Sequence, residues 1–121
     1  MSKKKRIGSI GELKAITHLV NQGYQILEKN WRYSHAEIDI IAKQDETLVF
    51  IEVKTRTSDR YGKAEWLVTR QQQRVISMAA KAYMRKVNHE WLVRFDVIGI
   101  LTDWQGNIMR LTHLEDAFFD P

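Results

Sequence analysis

Three residues near the middle of the chain carry the chemistry that stands out first: Asp39, Glu52 and Lys54. They lie on two apolar segments, Glu37 to Lys43 and Leu48 to Thr55, separated by the polar stretch Gln44-Asp-Glu-Thr47. Such a pattern reads as a β-hairpin. With residues 44–47 as its loop, Lys43 faces Leu48, Ile41 faces Phe50, Asp39 faces Glu52 and Glu37 faces Lys54. Directly opposed side chains share one face of a sheet. One face then carries Glu37, Asp39, Glu52 and Lys54, and the other carries Ile38, Ile40, Val49, Ile51 and Val53 as core. Two carboxylates opposed across a hairpin repel unless a cation sits between them. Oxygen ligands converging in this way suit a hard divalent ion. Lys54, on the same side, would place a positive charge beside an anionic transition state. The alternative is a solvated polar face with a cross-strand Glu37–Lys54 pair, and a one-residue slip in register would remove the constellation.

The elements that must position these residues follow from periodicity. Ser9-Ile-Gly-Glu12 has capping-box spacing and opens a helix that runs to Asn21, with Gly23 beyond it. On a helical wheel Glu12 falls near the middle of the stripe formed by Ile16, Leu19 and Val20, an odd place for a solvated carboxylate. It is either the capping partner of Ser9 or a site residue. Tyr24 to Trp31 reads as a strand. Val68 to Val87 is the longest helical pattern, with Val75, Ile76, Ala79, Ala80, Tyr83 and Val87 on one side. Gln72 falls on that same sheet-facing side. Val93 to Leu101 is an apolar strand, Asp103-Trp-Gln-Gly106 a turn, and Ile108 to Leu111 a short last strand. The order α-β-β-β-α-β-β predicts an α/β domain, a central mixed sheet flanked by helices. One domain from Gly8 to Phe118 is expected, with residues 1–7 as a flexible basic arm.

The uneven charge distribution is that of a chain with a polyanionic partner or, alternatively, of a merely solvated basic surface. Residues 54–94 hold ten basic against three acidic groups, a net of +7, while residues 95–121 hold one against five, a net of −4. The far side of the long helix presents Arg70, Arg74, Lys81 and Arg85 with no acid among them. Like charges at helical spacing cost the helix a few tenths of a kcal/mol per pair, so a row of one sign suggests phosphate binding. Arg56, Arg60 and Lys63 follow the hairpin, with Tyr61 and Trp66 among them, as phosphate and base contacts beside the site. His35 lies close to Glu37 and either lines the site or is a surface imidazole. The four histidines show no metal-ligand spacing, and Asp96 reads as the structural partner of Arg94 on one strand face.

Other classes are excluded. With no cysteine among 121 residues there is no disulfide framework and no thiolate metal site. No apolar run approaches the ~20 residues of a membrane helix, and no h-region follows the basic N-terminus. A cytoplasmic protein without a membrane partner is expected. No Walker A, G-x-G-x-x-G or G-x-S-x-G motif is present, which removes ATP, dinucleotide and serine-hydrolase chemistry.

Glu37-Ile-Asp39 followed by Phe50-Ile-Glu52-Val53-Lys54 resembles the D…(D/E)-x-K motif of the restriction-endonuclease-like nuclease superfamily. Together with Gly11-Glu12, Gly23-Tyr24, Asn30-Trp-Arg32, Thr55-Arg56 and Arg94-Phe-Asp-Val97, in that order, it resembles the YraN-type family of bacterial proteins, over roughly residues 8 to 100. The resemblance implies a restriction-endonuclease-like core and hydrolysis of phosphodiester bonds in DNA, branched or flap substrates included. It implies Asp39 and Glu52 as metal ligands, the Val53 carbonyl as a third, Lys54 as the catalytic lysine and Glu12 as an additional acid. The implied cofactor is one or two Mg²⁺ ions, with Mn²⁺ as substitute. Lys is the residue expected near Gln72, and this chain departs there with Gln71-Gln-Gln73. A nucleic-acid-binding module or adaptor that kept the fold without cutting is the alternative. A chain of this length that cuts both strands would need a second copy.

Overall fold

The computed structural model describes residues 2–57 and 68–118. Its elements are α1 (Lys3–Asn21), β1 (Gln25–Tyr33), β2 (Ala36–Gln44), β3 (Thr47–Arg56), α2 (Arg70–Val87), β4 (Val93–Thr102) and β5 (Ile108–Phe118). The five strands form one sheet in the order β1-β2-β3-β4-β5. All neighbours are antiparallel except β3 and β4, which run parallel with α2 in the connection between them. A parallel pair needs such a crossover. The α/β architecture and mixed sheet are those expected from the sequence.

The hairpin register is also as expected. Ile41 pairs with Phe50 and Lys43 with Leu48. Gln44 pairs with Thr47 as well, so the loop tightens to Asp45-Glu46, with Asp45 at φ 53. Aspartate tolerates the left-handed region better than most residues.

Apolar residues on both faces of the sheet make two core layers. Against α2 pack Ala36, Ile38, Ile41, Leu48, Phe50, Phe95 and Val97, together with Ile76, Ala79 and Tyr83 of the helix. Against α1 pack Ile40, Ala42, Val49, Ile51, Ile98 and Ile100, with Ala15 and Leu19. Both faces of the hairpin are therefore buried near its turn, and only its far end is polar. Ile38 is a correction. It was expected on the face of Ile40, yet it packs in the opposite layer, so the alternation of β2 slips between them, at Asp39. Val75 and Val87 are likewise exposed rather than core.

α1 begins at Lys3 instead of Ser9. Its cap is Ser2, whose hydroxyl accepts the Lys5 N–H at 3.2 Å. Residues 3–7, expected as an arm, are thus its first turns. Three adjacent lysines are poor company for the positive end of a helix dipole. Tertiary packing outweighs them. Ile7 is buried, and Ile7 and Ile10 lie against Gly106 in the β4–β5 turn, where the glycine adopts φ +92. β5 continues to Phe118, seven residues past its expected end.

Candidate metal and nucleic-acid site

Glu12 is freed by the early start of α1, because Ser9 is a mid-helix residue and caps nothing. Helix α1 crosses β3 at Gly11. A β-carbon there would stand 2.1 Å from Thr55 Oγ1 and 3.3 Å from its Cβ. Glycine is what lets the helix approach closely enough to bring the next residue, Glu12, towards the acids of the hairpin. Burial raises the Glu12 carboxyl above its ordinary range, the Glu37 charge adds to this, and the Asn30 amide opposes it by hydrogen bonding to the carboxylate.

Asp39 and Glu52 meet where the β2–β3 ladder ends. The last backbone pair before them is Ile40 with Ile51. Beyond it, Oδ2 of Asp39 accepts the Val53 N–H at 2.8 Å, so a carboxylate takes up the donor that a continuing ladder would use. Burial pushes Asp39 up to about 6 even though the Val53 N–H favours its charged form, and Glu12 and Glu37 push it further in the same direction. Burial and then the Asp39 charge push Glu52 up to about 8, with Lys54 offsetting part of the effect. Both carboxyls are held above their ordinary range, so the pair keeps about one proton between them near neutral pH.

The surroundings are equally specific. Glu37 pairs with Arg32, its β1 neighbour, at 2.8 Å, in place of the Glu37–Lys54 pair of the alternative reading. An open cavity of about 470 Å³ is walled by Glu37, Glu52, Thr69, Gln71, Gln72 and Val75. Asp39 does not line it. Gln72 does, as expected, and it also completes a capping box: its Oε1 accepts the Thr69 N–H while Thr69 Oγ1 accepts the Gln72 N–H. The first turn of α2, with the positive end of its dipole, thus borders the acidic wall.

Among the described residues, no three His, Asp or Glu side chains gather closely enough to enclose an ion by themselves. The groups that could hold a divalent cation here are the two carboxylates and the Val53 carbonyl, with water for the rest. Magnesium is commonly held by one or two carboxylates while it keeps several waters. A buried pair with only one charge between the two carboxyls fits a cation that would replace the proton.

Arg70, Arg74, Lys81 and Arg85 are all exposed on α2, as expected. Lys81 is engaged in a contact of its own. Arg56 is half-buried and its Nη1 donates to the Thr55 carbonyl at 3.0 Å. Arg60 and Lys63 lie outside the described residues. His35 is exposed in the β1–β2 turn, as a surface imidazole, and is not among the residues lining the cavity.

A polar network extends well beyond the Arg94–Asp96 pair that the sequence suggests. Asp96 is fully buried, and Arg94 reaches both of its oxygens at 2.9 Å. His113 Nε2 lies 2.8 Å from Asp96 Oδ2, and His113 Nδ1 lies 3.0 Å from His18 Nε2. Burial alone would raise Asp96, but hydrogen bonds from His113 and Arg94 hold it below the usual carboxylate range. Burial, then His113, lower His18. The chain of contacts ties α1, β4 and β5 together on the α1 face, so it fixes the helix that carries Glu12. The Arg94–Asp96 partnership was legible from its i, i+2 spacing. The histidine pair, 95 residues apart in sequence, was not.

Comparison with known proteins supplies the family. Residues 11–100 match the profile of "Uncharacterised protein family UPF0102". A UPF0102 protein of Thermodesulfovibrio yellowstonii is 44% identical over 113 residues, covering 93% of this chain and 96% of its own. A UPF0102 protein of Parabacteroides distasonis is 38% identical over 121 residues, covering 100% of this chain and 98% of its own. A solved structure, that of a FdxN element excision controlling factor protein from Anabaena variabilis, aligns with 85% of this chain and 98% of its own, at 14% identity and a TM-score of 0.42. That likeness is too distant to bear on the site. The two sequence relatives are matched nearly end to end, and the chain belongs to the UPF0102 family.

Proposed function

We propose that this chain is a divalent-cation-dependent nuclease that hydrolyses phosphodiester bonds in DNA. The observation that carries the reading is the meeting of Asp39 and Glu52 just beyond the last ladder pair, with Asp39 Oδ2 on the Val53 N–H at 2.8 Å and Lys54 two residues past Glu52 on the same strand. Asp39, Glu52 and the Val53 carbonyl would hold Mg²⁺ or Mn²⁺. When bound, the cation supplies charge neutralisation at the scissile phosphate and lowers the pKa of water beside it. Asp39 is oriented for this by the Val53 N–H. Lys54 brings a fixed positive charge towards the oxygens that gain charge in the transition state. Glu12 adds a carboxylate able to take a proton from the attacking water. Gln72 borders the cavity with an amide whose oxygen is already engaged, leaving its NH₂ as a donor towards substrate. The arginines of α2 and Lys81 would bind flanking phosphates. No helix among the described residues is long and apolar enough to cross a membrane. The reading places the enzyme in the cytoplasm, acting as a pair of copies on duplex substrates.

The test is a cleavage panel of labelled linear, flap, splayed and four-way DNAs, with an RNA strand, in Mg²⁺, Mn²⁺ or chelator. Cleavage with either metal that stops in chelator is expected. Salt-sensitive binding without cleavage on every substrate would make the chain a nucleic-acid-binding module instead.

A further inference from the structure

The slip in alternation at Asp39 has a counterpart on the neighbouring strand. In β1, Glu28 and Trp31 both face α2: Tyr83 Oη donates to Glu28 at 3.4 Å, and the Trp31 ring sits edge-on to Tyr83 at 5.1 Å. Residues three apart share a face only if the strand turns over between them. The residue in the turned segment is Asn30, at φ 51. The register on either side is Lys29 with Ile40 and Trp31 with Ile38, so Asn30 stands across from Asp39. Both strands therefore change face at one rung, and that rung is Asn30–Asp39.

We infer that Asn30 is a positioning residue for the acidic site: its left-handed backbone turns β1 over and carries β2 with it, which points Asp39 at Val53 and Glu52, and its amide steadies Glu12. The inference rests on the reading of Asp39 and Glu52 as the site. Asparagine is suited to both tasks. It enters the left-handed region at lower cost than most side chains, and its short amide donates to a nearby carboxylate. Its neighbours act in concert. Trp31 anchors the strand in the α2 layer, and Arg32 holds Glu37 at 2.8 Å. The Asn30-Trp31-Arg32 segment thus backs three of the four acids, Glu12, Asp39 and Glu37, from a strand that holds none of them.

The experiment compares Asn30→Val with Asn30→Gly in the full chain. Valine opposes a positive φ, whereas glycine permits it and removes only the amide. The first readout needs no metal: exchange of the Val53 amide proton, whose acceptor is Asp39, followed by NMR in chelator. Asn30→Val should speed that exchange about tenfold or more, the loss of one hydrogen bond, while amides of β4 such as Ile98 keep their rates. Asn30→Gly should restore most of the Val53 protection. The second readout is Mn²⁺ affinity, expected to fall about 10–100-fold in Asn30→Val, as for other residues that orient ligands, with partial recovery in Asn30→Gly. Unchanged Val53 exchange in folded Asn30→Val would overturn the inference, and equal loss in both variants would overturn the backbone role. Normal exchange behaviour in a protein that takes up no Mn²⁺ would leave Asn30 supported and refute the metal site alone.

Discussion

Replacing Glu52 by Gln should stabilise the metal-free protein at alkaline pH, which is unusual for the loss of a buried polar partner. The reason lies in the proton. In the folded chain Glu52 titrates at about 8 and Asp39 at about 6, against 4.5 and 3.8 ordinarily. Folded-state values that are raised mean that the native protein holds more protons than the unfolded one, so stability is greatest in acid and is lost as pH climbs through 6 and then 8. Each tenfold change in proton affinity is about 1.4 kcal/mol, so ionising Glu52 beside Asp39 costs on the order of 3–5 kcal/mol, nearer the lower figure after relaxation. In a domain of this size ~3 kcal/mol corresponds to about 10 °C in melting temperature. His18, lowered on folding, works the other way, but its loss of stability falls below pH 6.5, which leaves pH 7–9 as the clean window. Thermal melts in chelator should show the unmutated chain losing about 1.4 kcal/mol, the last part of the total, between pH 7 and 9, with the fall levelling off above pH 8. Glu52→Gln should stay nearly flat and lie above it at pH 9. A flat profile for the unmutated chain, or parallel losses in both, would refute the shared-proton picture.

Three further outcomes follow from particular contacts. Gly11→Ala should cost about 1–3 kcal/mol by overpacking against Thr55, and Thr55→Ala in the same chain should recover part of it, measured by urea denaturation. Lys54→Ala should lower the cleavage rate by ~10²–10³ while DNA affinity stays within a few-fold, since one ammonium is a small part of the phosphate-binding field; equal losses in filter binding and turnover would make it an ordinary backbone contact. Asp96→Ala removes the fully buried carboxylate that half-buried Arg94 and His113 both contact and should destabilise by about 1.5–3 kcal/mol in equilibrium unfolding.

The sequence is explicit about some of this architecture and silent about the rest, for physical reasons. The hairpin register was readable because a two-residue period and a polar loop leave few ways to face Lys43 with Leu48. Gln72 was readable because helical spacing puts it on the face of Ile76. The face change at Asn30 and Asp39 was not, because an alternating string of apolar residues looks the same whether or not the strand turns over within it. The start of α1 was missed because Ser2 and Ser9 are equally good local caps, and the choice is made by Ile7 and Ile10 packing on a turn almost a hundred residues away. The His18–His113 contact has no local signature at all.

The central claim is that a divalent cation replaces the proton held between Asp39 and Glu52. Calorimetric titration of Mn²⁺ at pH 7, in buffers of different ionisation enthalpy, reads binding and proton release together. Binding with release of about one proton per ion is expected, because the ligands must be deprotonated, and Asp39→Asn should abolish it. The absence of binding at millimolar Mn²⁺, or binding that persists undiminished in Asp39→Asn, would contradict the account.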